Sequence, residues 1–491
     1  MSRARPVRRR LWRIGLWAAI GLSASACSRN PATGRLQFGL INEQQEIRLG
    51  QETDAEVVAK IGRYDEQPAI EEMVQRVGQT IARASERPGL PWSFAVLDDP
   101  AVNAFALPGG YVYVTRGLLG HLRSEAELAA VLGHEAGHVT ARHSAVQLRK
   151  QRTALNAVGI FRVIDPNLRH VGGLAADTAG LVLLKHSREH ENEADALGLR
   201  YMKRTGYDVV AIVHVFDVLA GISNGSGRVP TWLSTHPSPE TRRDRMARVI
   251  GPAAHTTPPI DRDYLQTIDG IVYGKDPRQG FLLGNTYVHP RMRLAVDAPA
   301  DWKGHYDGNG FVAASADEKG LFLLGPAEHE SVDEAIDSFF SDGVIARGED
   351  WQGELGGTKA RSASFALGDP PRRIAGLIAY LEHRGRVLTM LALSAEADWA
   401  ELAPVVAETF ASFRSLSDPA IVDVQPMRLR MLELPAETTL EALESSRPSV
   451  VAMKQLERLN RSKAGETLPA GFVVKRVEGV NPDDPQLPMR K

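Results

Sequence analysis

The stretch SEAELAAVLGHEAGHVTARHSAVQLRK, Ser124 to Lys150, decides how this chain is read. Ser124 and Glu127 form a capping box, and Leu128, Val131, Leu132 and Val139 supply an apolar stripe, so the spacing predicts one helix across the stretch. Helix positions four apart share a face, so the imidazoles of His134 and His138 converge while Glu135 points beside them. That arrangement suits a zinc ion with two nitrogen ligands and a carboxylate poised over its bound water. The alternative is a pair of ordinary helix histidines with satisfied hydrogen bonds. Gly133 and Gly137 each cost about 1 kcal/mol relative to alanine in a helix interior, which predicts close approach by a neighbouring helix or a bound peptide.

Two histidines leave a tetrahedral zinc short of ligands, and a catalytic site takes a third from the protein while leaving the fourth position open. Downstream, Ser187-Arg188-Glu189-His190-Glu191-Asn192-Glu193-Ala194-Asp195 opens a second helix-like segment, with Ser187 as N-cap, Lys203 and Arg204 near its end and Gly206 as its stop. Glu191 and Asp195 share one face. The natural reading makes Glu191 the third ligand and Asp195 the acceptor that orients a ligand imidazole. Taken alone, acids on a helix are more often solvated surface.

His134-Glu135-Ala136-Gly137-His138 followed by Glu191-Asn192-Glu193-Ala194-Asp195 resembles the zinc metallopeptidase family that includes the HtpX, BepA and CAAX prenyl protease 1 types. The run Asn103 to Val114 and the run Ser234-Thr235-His236-Pro237 with Arg242 beyond it are similar to the same family. The resemblance covers roughly Asn42 to Ile250. It implies one Zn2+ held by His134, His138 and Glu191, with Glu135 as catalytic carboxylate and Asp195 as support.

Tyr111 to Val114 alternates after a Gly-Gly turn and reads as a strand ahead of the metal helix. At a sheet edge it would pair with an extended substrate; as a core strand it would never meet one. His236 and Arg242 lie in and just beyond a proline- and serine-bearing loop, from which both are candidate catalytic residues. Arg242 would stabilise a developing oxyanion, while His236 would do the same or occupy the fourth zinc position in a resting form. A turn shaped by Pro237 and Pro239 and capped by His236 is the plainer alternative. His143, nine residues after His134, falls on the far side of a continuous helix and is not read as a ligand.

Six arginines between Arg3 and Arg13 precede the apolar stretch Ile14 to Ala26, which is too short to span a bilayer and reads as an export signal. Cys27 is the single cysteine and directly follows Ala24-Ser25-Ala26, a placement that resembles a lipoprotein signal in which Cys27 carries the lipid. Ala24-Ser25-Ala26 also satisfies the rule for ordinary signal cleavage. Ser28 resembles sorting to the outer membrane, so the expected location is the periplasm, anchored there as a lipoprotein. With one cysteine there is no disulfide, and stability must come from burial and from metal. A net charge of -2 without basic clusters beyond the signal argues against nucleic acid as a partner.

The chain of 491 residues with 43% hydrophobic content is read as a multidomain α+β protein. The expected order is signal (1–26), tether (27–41), a mainly helical zincin-type metallopeptidase domain with a small sheet (42–250), linker (251–284), a small α+β domain (285–416) and a short LysM-like module (423–477). Residues 151–184 read as a lid or as packed helices between the ligand helices, and the LysM-like module reads as a peptidoglycan binder or as a purely structural cap. Two functional classes stay open. One is a zinc-dependent endopeptidase of the bacterial cell envelope, acting on unfolded or misassembled proteins. The other is a zinc-binding periplasmic chaperone, or a peptidoglycan-associated scaffold, with little proteolysis.

Overall fold

The computed structural model describes residues 27–30, 32, 34, 36–38, 41–145, 186–223, 232, 235–256, 260–307, 310–341 and 343–480. The signal reading of 1–26 and the lid reading of 151–184 lie outside them. Two compact units divide the described residues, the first reaching to Thr267 apart from Lys60–Gly62, and the second comprising Lys60–Gly62 and the chain from Ile268 on.

In the first unit, helices α1 (Glu43–Ile61) and α2 (Pro68–Ala84) precede a three-stranded sheet of β1 (Ser93–Leu97), β2 (Ala104–Leu107) and β3 (Tyr111–Thr115). On α2, Ile70, Val74, Val77 and Ile81 recur at helical spacing and are fully buried. Each such side chain contributes roughly 1.5–3 kcal/mol on leaving water. Gly78 lets the Phe94 ring of β1 lie directly on the α2 backbone, since a Cβ there would sit 2.2 Å from it. The strand order is β1-β3-β2, with β1 parallel and β2 antiparallel to β3. Tyr111 to Thr115 is therefore the central strand, which corrects the edge-strand expectation. The Gly109-Gly110 turn, at φ 84° and 105°, folds β2 back along β3 and leaves Ala104–Leu107 at the edge.

Helices α3 (Arg116–His121), α4 (Glu125–Thr140), α5 (Arg188–Thr205), α6 (Ala211–Ser223), α7 (Pro239–Ile250) and α8 (Arg262–Thr267) follow among the described residues of the unit. Ser124 Oγ accepts from the Glu127 amide and Glu127 Oε2 from that of Arg123, so the start of α4 is doubly capped. Every residue of α4 from Glu127 to Thr140 is buried, packed against α2, α5, α6 and β2. The helix stops at Thr140 instead of running on to Lys150, because Arg142 adopts φ 61° and turns the chain back. Residues 251–284, expected as a linker, include α8, whose buried Tyr264 donates to the Leu119 carbonyl at 2.9 Å.

The second unit is built on an antiparallel seven-stranded sheet in the order 345–355, 358–367, 374–383, 386–395, 320–326, 310–314, 303–307. Alternation sends Phe322, Leu388 and Met390 to one face, under Val406 and Phe410 of helix Glu396–Ala411. Leu323 and Leu391 point the other way, onto Ile336 and Phe339 of helix Val332–Phe339. Near the C-terminus, strands Arg428–Glu433 and Val473–Glu478 pair antiparallel, with helices Leu440–Ser446 and Met453–Asn460 between them in sequence. The molecule thus mixes helices and sheets in a multidomain arrangement. No helix among the described residues is long and apolar enough to cross a membrane.

Candidate metal centre

Helices α4 and α5 meet through their backbones. A Cβ on Gly137 would lie 2.9 Å from the Ala194 carbonyl oxygen, and one on Gly198 3.1 Å from the Gly133 carbonyl carbon. The close approach predicted from the glycines of α4 is thus made by the neighbouring helix. Ser187 Oγ caps α5 by accepting from the His190 amide, and Gly206 ends it at φ 79°. Between those ends, the first two turns of α5 carry Glu191 and Asp195 to the histidines of α4. Gly137→Ala gains about 1 kcal/mol in helix propensity but overpacks the seam at about 1–3 kcal/mol. The expected result is a net loss of stability with weaker zinc binding, read by denaturant midpoint and chelator competition.

His134, His138, Glu191 and His236 bring one donor atom each to within 4.8 Å of one another, and all four residues are buried. His138 Nε2 is 3.0 Å from His134 Nε2 and 3.4 Å from Glu191 Oε1. His236 Nδ1 is 3.3 Å from His134 Nε2 and 3.0 Å from Glu191 Oε1. A tetrahedral shell with ligands at 2.0–2.1 Å places its donors roughly 3.3 Å apart, so these spacings and this donor set fit zinc.

Glu135 is buried beside the cluster, with Oε1 3.5 Å from His236 Nε2 and, among the described residues, no hydrogen bond to that oxygen. Asp195 Oδ1 lies 3.0 Å from His134 Nδ1, the orienting contact expected of it. Arg242 packs against both carboxylates. Its Nε and Nη2 hold Asp195 at 3.0 and 2.6 Å, its Nη1 lies 2.6 Å from Glu191 Oε2, and Arg245 also pairs with Asp195. The guanidinium, stacked over Phe216 and Trp232, is held by these carboxylates, and its Nη2 lies 3.3 Å from His134 Nε2.

Burial pushes the Glu191 carboxyl up, but His236 and Arg242 outweigh it and hold the group far below the usual carboxylate range. Asp195 is held low in the same way, burial being overcome by Arg242 and His134. Burial and the neighbouring His186 keep His138 neutral, as a ligand nitrogen must be. Burial and His236 likewise press His186 down to about 2.

Four further side chains around the cluster were not singled out from the sequence as part of it: His143, His186, His190 and Glu193. The turn at Arg142 brings His143 back against α4, so that its Nδ1 lies 3.0 Å from His138 Nδ1. This corrects its placement on the far side of a continuous helix. Its Nε2 meets Glu193 Oε2 at 2.9 Å, and its ring stacks on His190. The spacing from His138 to His143 would have shown this only if the break after Thr140 had been visible, and no Gly or Pro marks it.

Residues 68–249 match the family model described as peptidase family M48. The mitochondrial metalloendopeptidase OMA1 of Arabidopsis thaliana is 36% identical over 168 residues, 34% of this chain and 33% of its own length. A putative beta-barrel assembly-enhancing protease of Vibrio cholerae is 32% identical over 183 residues, 36% of this chain and 38% of that protein. The OMA1 of Schizosaccharomyces pombe is 32% identical over 214 residues, 43% of this chain and 63% of that protein. The chain thus spans less than two thirds of each of these relatives. The matched stretch contains the whole donor cluster with its supporting carboxylates, and residues 68–249 are a peptidase family M48 domain.

Proposed function

We propose that this protein is a zinc-dependent endopeptidase of the bacterial cell envelope that hydrolyses peptide bonds of unfolded or misassembled proteins. The observation that carries the reading is the donor set of His134, His138 and Glu191 with the buried Glu135 carboxylate alongside. Zinc bound by those three side chains supplies Lewis-acid polarisation and lowers the pKa of the attacking water. Glu135 takes the proton from that water and delivers it to the leaving amine, a role suited to a carboxylate oxygen with no competing hydrogen bond among the described residues. Asp195 holds the His134 ring, and Arg242 locks Asp195 and Glu191 together. The edge strand Ala104–Leu107 is the one to align an extended substrate.

The envelope assignment draws on the arginine-rich start with its apolar stretch, on Cys27 as the lipid-bearing residue of an outer-membrane lipoprotein, and on relatives named as beta-barrel assembly-enhancing proteases. The strand-helix-helix-strand order at 428–478 supports a LysM-like module with peptidoglycan as its ligand.

One observation favours a second reading. His236 completes four protein donors around one point, and a closed shell of four is the mark of a structural zinc site. On the first reading, His236 caps the metal in a resting form. On the second, the protein is a zinc-binding chaperone that rarely cleaves. Cleavage of an unfolded test protein, followed with and without chelator and repeated with His236→Ala, separates them. A resting cap gives chelator-sensitive cleavage that rises in the variant. No cleavage by either protein, each loaded with zinc, would leave the chaperone.

A further inference from the structure

Beyond the residues with assigned roles, a buried polar cluster runs from His138 away from the donor set. His138 Nδ1 lies 3.0 Å from His143 Nδ1, and His143 Nε2 lies 2.9 Å from Glu193 Oε2. His143 is 2% exposed at its side chain and Glu193 17%, so the chain of contacts starts in the core and ends at a carboxylate near solvent.

The proton positions in such a chain follow from its terminus. An ionised carboxylate only accepts, so Glu193 requires a proton on His143 Nε2. An imidazole with its one proton on Nε2 offers a lone pair at Nδ1, and the short contact with His138 is then made by His138 Nδ1 donating. A neutral His138 protonated at Nδ1 has its lone pair on Nε2, the atom that faces His134 and Glu191. We infer that His143 and Glu193 are positioning residues that fix His138 in its metal-binding tautomer, the counterpart for the second histidine of what Asp195 does for His134.

Two features support the inference. Arg142 turns the backbone so that His143 can reach His138, and it is pinned there by Glu46 at 2.9 Å. The His190 ring, from the same helix as Glu193, stacks on His143 at 4.1 Å and fixes its plane. The two histidines of the motif thus have unlike supports: a carboxylate in direct contact with His134, and a carboxylate acting through a second imidazole on His138. Outer partners of this kind tune ligand basicity and metal affinity.

The inference rests on the metallopeptidase reading, and its test separates the two. Zinc affinity of the full chain is measured by competition with a chromophoric chelator for wild type, His143→Phe and Glu193→Ala, alongside the imidazole N–H resonances of histidine-labelled protein. The expected result is one tightly bound zinc in the wild type and an affinity about 10–100-fold weaker in each variant. The hydrogen-bonded His138 Nδ1 proton should shift upfield in His143→Phe, which a loss of packing alone would not produce. Glu193→Ala, near the surface, decides the matter should His143→Phe not fold. Unchanged affinity in the folded variants, or an unmoved His138 resonance, would overturn the relay and leave the metallopeptidase reading standing. A wild type that takes up no zinc would overturn both.

Discussion

Glu135→Gln should abolish cleavage while leaving zinc in place. Glutamine has nearly the shape of glutamate, so the packing of a side chain that is 1% exposed is preserved. It cannot take a proton from water at neutral pH, and general acid-base catalysis of this kind is worth roughly 10²–10⁴-fold in rate. Glu135 is not among the donor atoms that converge, so metal content should remain that of the wild type. Initial rates on an unfolded test protein and zinc content of the purified variant check both halves. A variant within tenfold of wild-type rate would remove Glu135 from the chemistry. A variant that no longer cleaves but still complements a deletion in cells would shift the function to binding. Because it binds without turnover, the same variant can retain substrates for identification by mass spectrometry.

The second large effect lies away from the donors. Glu46 on α1 is completely buried, accepts from Arg87 Nη1 and Nη2 at 2.9 and 3.0 Å, and forms an ion pair with Arg142, whose Nε lies 2.9 Å away. Burial pulls the Arg87 guanidinium down, and Glu46 with Glu43 overcomes it, so its pKa is raised. Replacing Glu46 by Ala takes the buried carboxylate away from two buried guanidinium groups and leaves Arg87 only the exposed Glu43, a change that typically destabilises by about 3–5 kcal/mol. Denaturant unfolding should register that loss. Lys359→Ala in the second unit makes a control, because its partner Asp333 at 3.1 Å is exposed, as is Lys359 itself. Such a pair is worth about 0–1 kcal/mol. An equal effect of the two substitutions would refute the burial argument. Glu46→Ala should also weaken zinc binding, since Arg87 holds the Val139 carbonyl at the end of α4 and Arg142 forms the turn that presents His143.

What was legible in the sequence follows from how local each signal is. The start of α4 and both ends of α5 carry side-chain caps or a left-handed glycine, and these operate within a few residues. His134, His138, Glu191 and Asp195 could be placed because helical spacing alone sets their faces. The end of α4 was not legible, since a non-glycine residue with positive φ is held there by the distant Glu46 and by the Ile41 carbonyl. The place of Tyr111 to Thr115 in its sheet was hidden for a similar reason: which strand lies in the middle depends on β1 joining it in parallel, a long-range choice. Arg242 was recognised as important, but its direction depends on Asp195 and Glu191, which reach it only in the folded chain.

The seam between α4 and α5 has one more implication. At Gly137 and Gly198 there is no side chain left to trim, so sequence change at these positions can only wedge the helices apart. Drift in this region is therefore one-directional, always toward a wider gap between the donors of α4 and those of α5. The gauge of the metal site is set by main-chain contact, and a gauge of that kind has no spare tolerance to lose.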